Sequence, residues 1–245
     1  MRSFIRAGWQ KSDWWLVALV VGCLVAGYLF ADMSSHVVQN RMSEADRAAR
    51  EMVLARRSPV LMGFFEALSY AGQKPILITI AAVAAWFISR SRTLVVLVLI
   101  CGLSSQEMVS GLKDVFARIR PPTGLVERES MSFPSGHQSG TTAVMTLLGF
   151  ASLRQRWRPA LVIVAGAVLV VVTALSRMFL DMHWLSDVIG GTLVGAAMGF
   201  AFAILYELLS IRVRGRQSPS VSPGTSGPDG FAGSSYGGSA PPSTR

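Results

Sequence analysis

His183 and Asp187 stand four residues apart within Ser176–Gly191, so on a helix they share one face. A carboxylate so placed can fix the imidazole tautomer and stabilise positive charge on the ring, which prepares a histidine for nucleophilic attack. Arg177 precedes this pair, and His137 follows Pro134-Ser135-Gly136; Lys113 and Arg120 lie further upstream. Lys113, Arg120 and Arg177 supply positive charge and Ser135 a hydroxyl. Gly136 lets backbone N–H groups approach a ligand at a helix start, which is an anion site. A phosphate, with two negative charges and several acceptor oxygens, fits such a cradle. One histidine could then attack phosphorus while the other protonates the leaving oxygen. Two other readings compete: a polar helix start at a lipid interface, and a zinc site of two histidines and an acid. Against zinc, the neighbouring cations would repel a metal ion and attract an anion. His36, the remaining histidine, has no chemical partners nearby in sequence and reads as an interfacial residue.

The elements that must position these groups are apolar. Of 245 residues, 51% are hydrophobic and 15% charged, against about 25% charged in soluble domains. The composition is that of a membrane protein. The net charge of +9 comes nearly all from arginines at the ends of apolar runs rather than on one face, which argues against nucleic-acid binding. Cys23 and Cys101 sit inside apolar runs and read as small buried hydrophobes.

The pattern predicts an all-α bundle of six membrane-spanning helices: Trp14–Ala31, Pro75–Ile88, Thr93–Leu112, Gln138–Leu153, Ala160–Leu175 and His183–Leu208. Glu107, deep in the third span, is expected to face protein or a wet cavity. Gly191, Gly195 and Gly199 recur every four residues and predict close helix packing. Between the first and second spans, 32–74 stands apart. Asn40–Arg57 reads as an amphipathic helix on the membrane surface, with Met42, Ala45, Ala49, Met52 and Val53 on its apolar side and a capping signal at Ser43 and Asp46. Ser58-Pro59 opens a short apolar piece to Ala71, too short to span. Residues 1–216 thus form one membrane domain. Residues 217–245, rich in Pro, Gly and Ser, read as a disordered cytoplasmic tail.

Charge orients the bundle. With the N-terminus in the cytoplasm, Arg90, Arg154–Arg158 and Arg212–Arg216 all fall inside, as the positive-inside rule requires. Lys113, Arg120, Ser135, His137, Arg177, His183 and Asp187 then all fall outside. Three sequence-distant pieces meet on one face of the membrane.

Lys113-(six residues)-Arg120-Pro121, Pro134-Ser135-Gly136-His137 and Ser176-Arg177-(five residues)-His183-(three residues)-Asp187 closely resemble the motifs of the type 2 phosphatidic acid phosphatase superfamily. That superfamily also holds bacterial acid phosphatases and vanadium haloperoxidases. The motifs cover Lys113 to Asp187, and the span layout extends the likeness to about Arg216. The resemblance implies His183 as nucleophile forming a phosphohistidine, Asp187 supporting it, and His137 protonating the leaving alkoxide. Lys113, Arg120, Ser135, Gly136 and Arg177 would hold the phosphoryl oxygens, with no metal and no cofactor. The partners implied are membrane lipids and a lipid phosphate substrate: undecaprenyl pyrophosphate, phosphatidylglycerol phosphate or phosphatidic acid. The site would lie on the extracytoplasmic face of a bacterial inner or plasma membrane. A lipid phosphotransferase, a haloperoxidase, an anion transporter and a membrane scaffold are the alternative functions, and the oligomeric state stays open. Because the tail has no apolar pattern to bury, truncation after Arg216 is expected to leave specific activity nearly unchanged in a detergent assay; a large loss would mean that the tail docks.

Overall fold

The computed structural model describes residues 11–71, 74–122 and 130–217; the segment 218–245, which holds nearly all of the expected tail, lies outside the described residues. The described residues form eight helices and no strand: α1 Lys11–Val38, α2 Ser43–Leu54, α3 Pro59–Ala71, α4 Lys74–Ser89, α5 Arg92–Phe116, α6 Gly136–Gln155, α7 Pro159–Phe179 and α8 Leu185–Gln217. Among them α1, α5, α7 and α8 are long and apolar enough to cross a membrane, and α3 and α4 are shorter apolar helices.

α6 is missing from both groups because it sits in the middle. Residues on every side of it are buried, among them Gln138, Thr141, Thr142 and Ser152 alongside Val144, Leu147 and Leu148. A helix walled by other helices need not be apolar all round, since its hydroxyls can bond to backbone. Thr142 Oγ1 donates to the Gln138 carbonyl at 2.9 Å and Ser152 Oγ to the Gly149 carbonyl at 2.7 Å. Around α6 the core gathers Leu19 of α1, Ala81 and Ala85 of α4, Leu94, Leu97, Val98 and Cys101 of α5, and Ala203 and Tyr206 of α8. The outer faces of α1 and α7 expose Leu24, Val25, Tyr28, Leu161, Val164, Val168 and Val171, an apolar surface that suits lipid rather than water.

The closest approach is between α6 and α8, along the predicted glycine row. A Cβ on Gly191 would stand 2.6 Å from the Ser135 carbonyl oxygen, one on Gly195 would overlap the Ser139 carbonyl, and one on Gly199 would stand 2.6 Å from the Ala143 carbonyl oxygen. Small residues here let two backbones touch.

At one end of the bundle lie the turn before α5, the α6–α7 turn and the end of α8. Ser91, Thr93, Arg154, Gln155, Tyr206 and Ser210 line one cavity there. Arg154 and the fully buried Glu207 form a paired bond, Nε to Oε2 at 2.7 Å and Nη2 to Oε1 at 2.8 Å. The motif residues lie at the opposite end.

Two expectations need correction. Glu107 is exposed, because the buried face of α5 runs through Ser105 and Val109, and a residue between them points the other way. The Ser43–Asp46 cap is not made: Met42 holds the cap position without a side-chain bond, and Asp46 is buried elsewhere. α2 turns a charged residue inward. Met52 is 59% exposed, and the residues it buries are Asp46 and Val53. The expected cap on the next helix is present, with Ser58 Oγ accepting from the Leu61 N–H at 3.3 Å.

Gly195→Ala should cost about 1–3 kcal/mol through overpacking and lower the melting temperature in detergent. Gly27→Ala, where a Cβ meets nothing within 4 Å, should leave it unchanged. Equal melting of the two variants would show that the α6–α8 contact can yield.

Candidate active site

α7 ends at Phe179, and the chain turns through Leu180–Trp184 before α8 begins at Leu185. Asp181 takes the left-handed backbone conformation (φ 53°) in this turn. His183 therefore lies outside α8, two residues before the predicted span begins to be helical. Asp187, in the first turn of α8, reaches back to it: His183 Nδ1 and Asp187 Oδ2 are 3.3 Å apart. The same oxygen accepts the Trp184 N–H at 2.9 Å.

The other face of the imidazole meets Arg120, whose Nη1 stands 3.2 Å from His183 Nε2. A guanidinium can only donate, so Nε2 is the acceptor and Nδ1 carries the proton given to Asp187. Arg120 is itself held by carbonyls: Nη1 donates to Met182 at 2.6 Å, Nε to Ser130 at 2.7 Å and Nη2 to Met131 at 3.1 Å.

His183 is 5% exposed. Burial pushes its imidazole down from 6.5 to about 4; the bond and charge of Asp187 oppose this, and the charges of Arg120 and Lys113 lower it further. The ring is neutral at physiological pH, with its Nε2 lone pair facing a cation.

Arg177, in the last turn of α7, is 1% exposed. Its Nη2 donates to Ser176 Oγ at 3.0 Å, and its Nη1 lies 3.9 Å from Met182 Sδ, beside the histidine. Ser135 precedes α6, and its N–H donates to the Asp187 carbonyl at 3.0 Å, which seats the start of α6 against the start of α8. Its hydroxyl makes no cap bond and, buried, meets no partner among the described residues. Gly136 opens α6, whose first N–H groups have no partner within the helix. His137 follows and lines a small cavity with Leu77, Ile78, Gly102 and Gln106. The structure thus gathers His183, Asp187, Arg120, Arg177 and Ser135, with Lys113 close enough to act on His183 by charge; His137 borders the cavity toward α4 and α5.

Further residues complete the site. Arg118 Nη1 donates to Asp187 Oδ1 and to Ser186 Oγ, both at 2.6 Å, and its Nη2 donates to Asp46 Oδ2. Ser132 Oγ lies 3.5 Å from Asp187 Oδ1. Arg118 carries a sequence signal, since it lies between Lys113 and Arg120. Asp46 carries none, being far from every motif. Among the described residues no group of three His, Cys, Asp or Glu side chains could hold a metal ion.

Long apolar helices around a buried histidine–carboxylate pair, with Arg120 at its second ring nitrogen, define an integral membrane protein with a buried polar cluster at one end. A family model described as the PAP2 superfamily matches residues 92–210. Over 179 residues the chain is 25% identical to Phosphatidylglycerophosphatase B of Bacillus subtilis (strain 168), covering 70% of this chain and 88% of that protein. Over 148 residues it is 30% identical to Undecaprenyl-diphosphatase of Sulfolobus acidocaldarius, covering 57% and 68%. The crystal structure of the transmembrane PAP2 type phosphatidylglycerolphosphate phosphatase from Bacillus subtilis has the same fold, with TM-score 0.69 over 77% of this chain and 97% of that one, at 22% identity. The chain belongs to the PAP2 superfamily.

The depressed value for His183 fixes a sign. Between pH 6.5 and about 4 the unfolded chain binds a proton at this position and the folded chain does not, so this residue's share of stability is lost as pH falls through that window. Histidine-selective NMR, assigned with His183→Gln, should find the ring neutral at pH 5.5; a midpoint near 6.5 would refute the buried neutral state.

Proposed function

We propose that the protein is a membrane lipid phosphatase that hydrolyses a phosphomonoester or diphosphate of a lipid through a phosphohistidine on His183. The observation that carries this reading is the neutral imidazole with Nδ1–H on Asp187 and its Nε2 lone pair under Arg120. A phosphoryl group entering beside Arg120 would meet that lone pair. Arg120, Lys113, Arg177, the Ser135 hydroxyl and the N–H groups from Gly136 would take its oxygens, which gain charge in the transition state. Nε2 forms a bond to phosphorus as the P–O bond to the lipid breaks, and His137 gives the departing oxygen its proton. Water then attacks the phosphohistidine, returning a proton to His137 and releasing phosphate. Asp187 stabilises the positive charge on the ring while the phosphohistidine exists. Cations rather than a metal ion offset the phosphate charge, so activity should survive a chelator.

The relatives act on phosphatidylglycerophosphate and on undecaprenyl diphosphate by name. These and phosphatidic acid are the substrate classes proposed here, since the site contacts the phosphate they share. α4 and α6 are read as spans beside the four long helices, giving six in all, with both termini in the cytoplasm and the site outside. The basic turns gathered at the opposite end support that orientation.

The reading is tested in detergent with a panel of lipid phosphates. His183→Ala should abolish phosphate release from every substrate while the protein stays folded. His137→Ala should lose about a hundred- to ten-thousandfold on phosphatidic acid, whose alkoxide needs the proton, and much less on p-nitrophenyl phosphate. Substantial turnover without His183 would sink the mechanism, and uniform loss without His137 would remove its role as acid. For topology, with Cys23 and Cys101 replaced by alanine, a cysteine at Met131 should label from outside intact cells and one at Trp157 should not.

A further inference from the structure

α2 belongs to none of the three motifs, yet it grips the turn that carries His183 from both sides. Asp46 and Arg50 stand one helical turn apart on its inner face. Asp46 is 1% exposed. Its Oδ1 accepts the Ser186 N–H at 2.8 Å, and its Oδ2 accepts the Ser186 hydroxyl at 2.7 Å and an Nη2 proton of Arg118. Arg50 makes a bidentate pair with Asp181, Nε to Oδ1 and Nη2 to Oδ2, each at 2.8 Å. Asp181 is 1% exposed. Further along, Arg57 Nε donates to the Phe179 carbonyl at 2.8 Å. The nucleophile thus lies between two anchors, at residues 181 and 186, both made by one helix.

Burying these charges is costly unless each is fully bonded, and a docking helix could have packed with alanines and leucines instead. What the charges add is direction. Arg118 holds Asp187 Oδ1 with one amino group while its other amino group is held by Asp46. With Oδ1 occupied, Oδ2 stays on His183 Nδ1 and the Trp184 N–H. The bidentate Arg50 pair meanwhile holds Asp181, the left-handed residue within the turn.

We propose that α2 is a positioning clamp for the nucleophile, in which Asp46, through Arg118, orients Asp187 and so holds His183 in its Nδ1-protonated form, and Arg50 fixes the turn through Asp181. The proposal rests on the assignment of His183 as nucleophile. It makes residues of the first extracytoplasmic segment part of the reaction's machinery without contact with substrate.

Asp46→Asn separates positioning from docking. The amide keeps an acceptor for the Ser186 N–H but presents N–H groups to Arg118, which cannot accept them. The variant should lose about ten- to a hundredfold in kcat, as loss of an outer-shell partner does. KM should stay within about threefold and the protein should stay folded. Arg118→Gln should lose a similar amount, and the double variant no more than the worse single one. Arg50→Lys, which keeps charge but not the bidentate fork, should lower kcat in the same way. Glu44→Gln, on the exposed side of α2, should change nothing. In ¹⁵N NMR His183 should be one Nδ1–H tautomer in the wild type and a mixture in Asp46→Asn. That readout needs no turnover, so an inactive wild type would fail the phosphatase reading while leaving the clamp testable. Activity within twofold of wild type, loss in proportion to unfolded protein, or an unchanged tautomer in the folded Asp46→Asn protein would each overturn the clamp.

Discussion

One buried carboxylate organises this end of the molecule. Asp187 has no exposed surface, so every lone pair must be used. Oδ2 takes donors from its own turn, the His183 ring and the Trp184 N–H, while Oδ1 takes Arg118, with Ser132 nearby. Those partners come from the α7–α8 turn and from both ends of the α5–α6 connection. Its backbone carbonyl adds a further tie, to the Ser135 N–H at the mouth of α6. Rotating this one side chain would strand donors on several elements at once, and that shared dependence keeps the histidine's tautomer and direction fixed.

The bundle exists to bring those elements to one place. α6 and α8 touch backbone to backbone through Gly191, Gly195 and Gly199, which puts Ser135 and Gly136 beside Asp187 rather than a side chain's width away. The same closeness explains why α6 is polar for a helix at the centre of an apolar protein. Its neighbours, not lipid, surround it, and the Thr142 and Ser152 hydroxyls bond to carbonyls of the helix itself. Lipid-like surface lies on the outer helices, such as α1 and α7, where large apolar residues are exposed. At the far end the Arg154–Glu207 pair ties α6 to α8 again, so the central pair is pinned by polar contacts at both ends and by packing between.

α2 shows where a one-dimensional pattern stops short. Helical spacing found its apolar residues but not what its opposite side would meet. In this fold the inward face is the charged one, because oppositely charged partners wait there: Arg118 for Asp46 and Asp181 for Arg50. The sign of a surface cannot be read from the helix that covers it. Glu107 is the converse case. Depth in the sequence suggested an inward acid, but rotation about the α5 axis, set by Leu97, Cys101 and Ser105 packing inward, turned it out.

Sequence alone determined the helical class, the apolar runs, the glycine row and the identity of the motif residues, because each is local: composition, period and short spacing act within one element. It also put His183 and Asp187 close enough in the chain to pair, although they meet across the turn before α8 and not on one helix face as the spacing suggested. Tertiary structure decided what those groups touch. That Arg120 covers Nε2, that Arg118 is shared between Asp46 and Asp187, and that burial keeps His183 neutral all depend on side chains meeting across gaps of more than 60 residues. Burial, like pairing across such gaps, is a property of the packed bundle, and no spacing within a single helix encodes it.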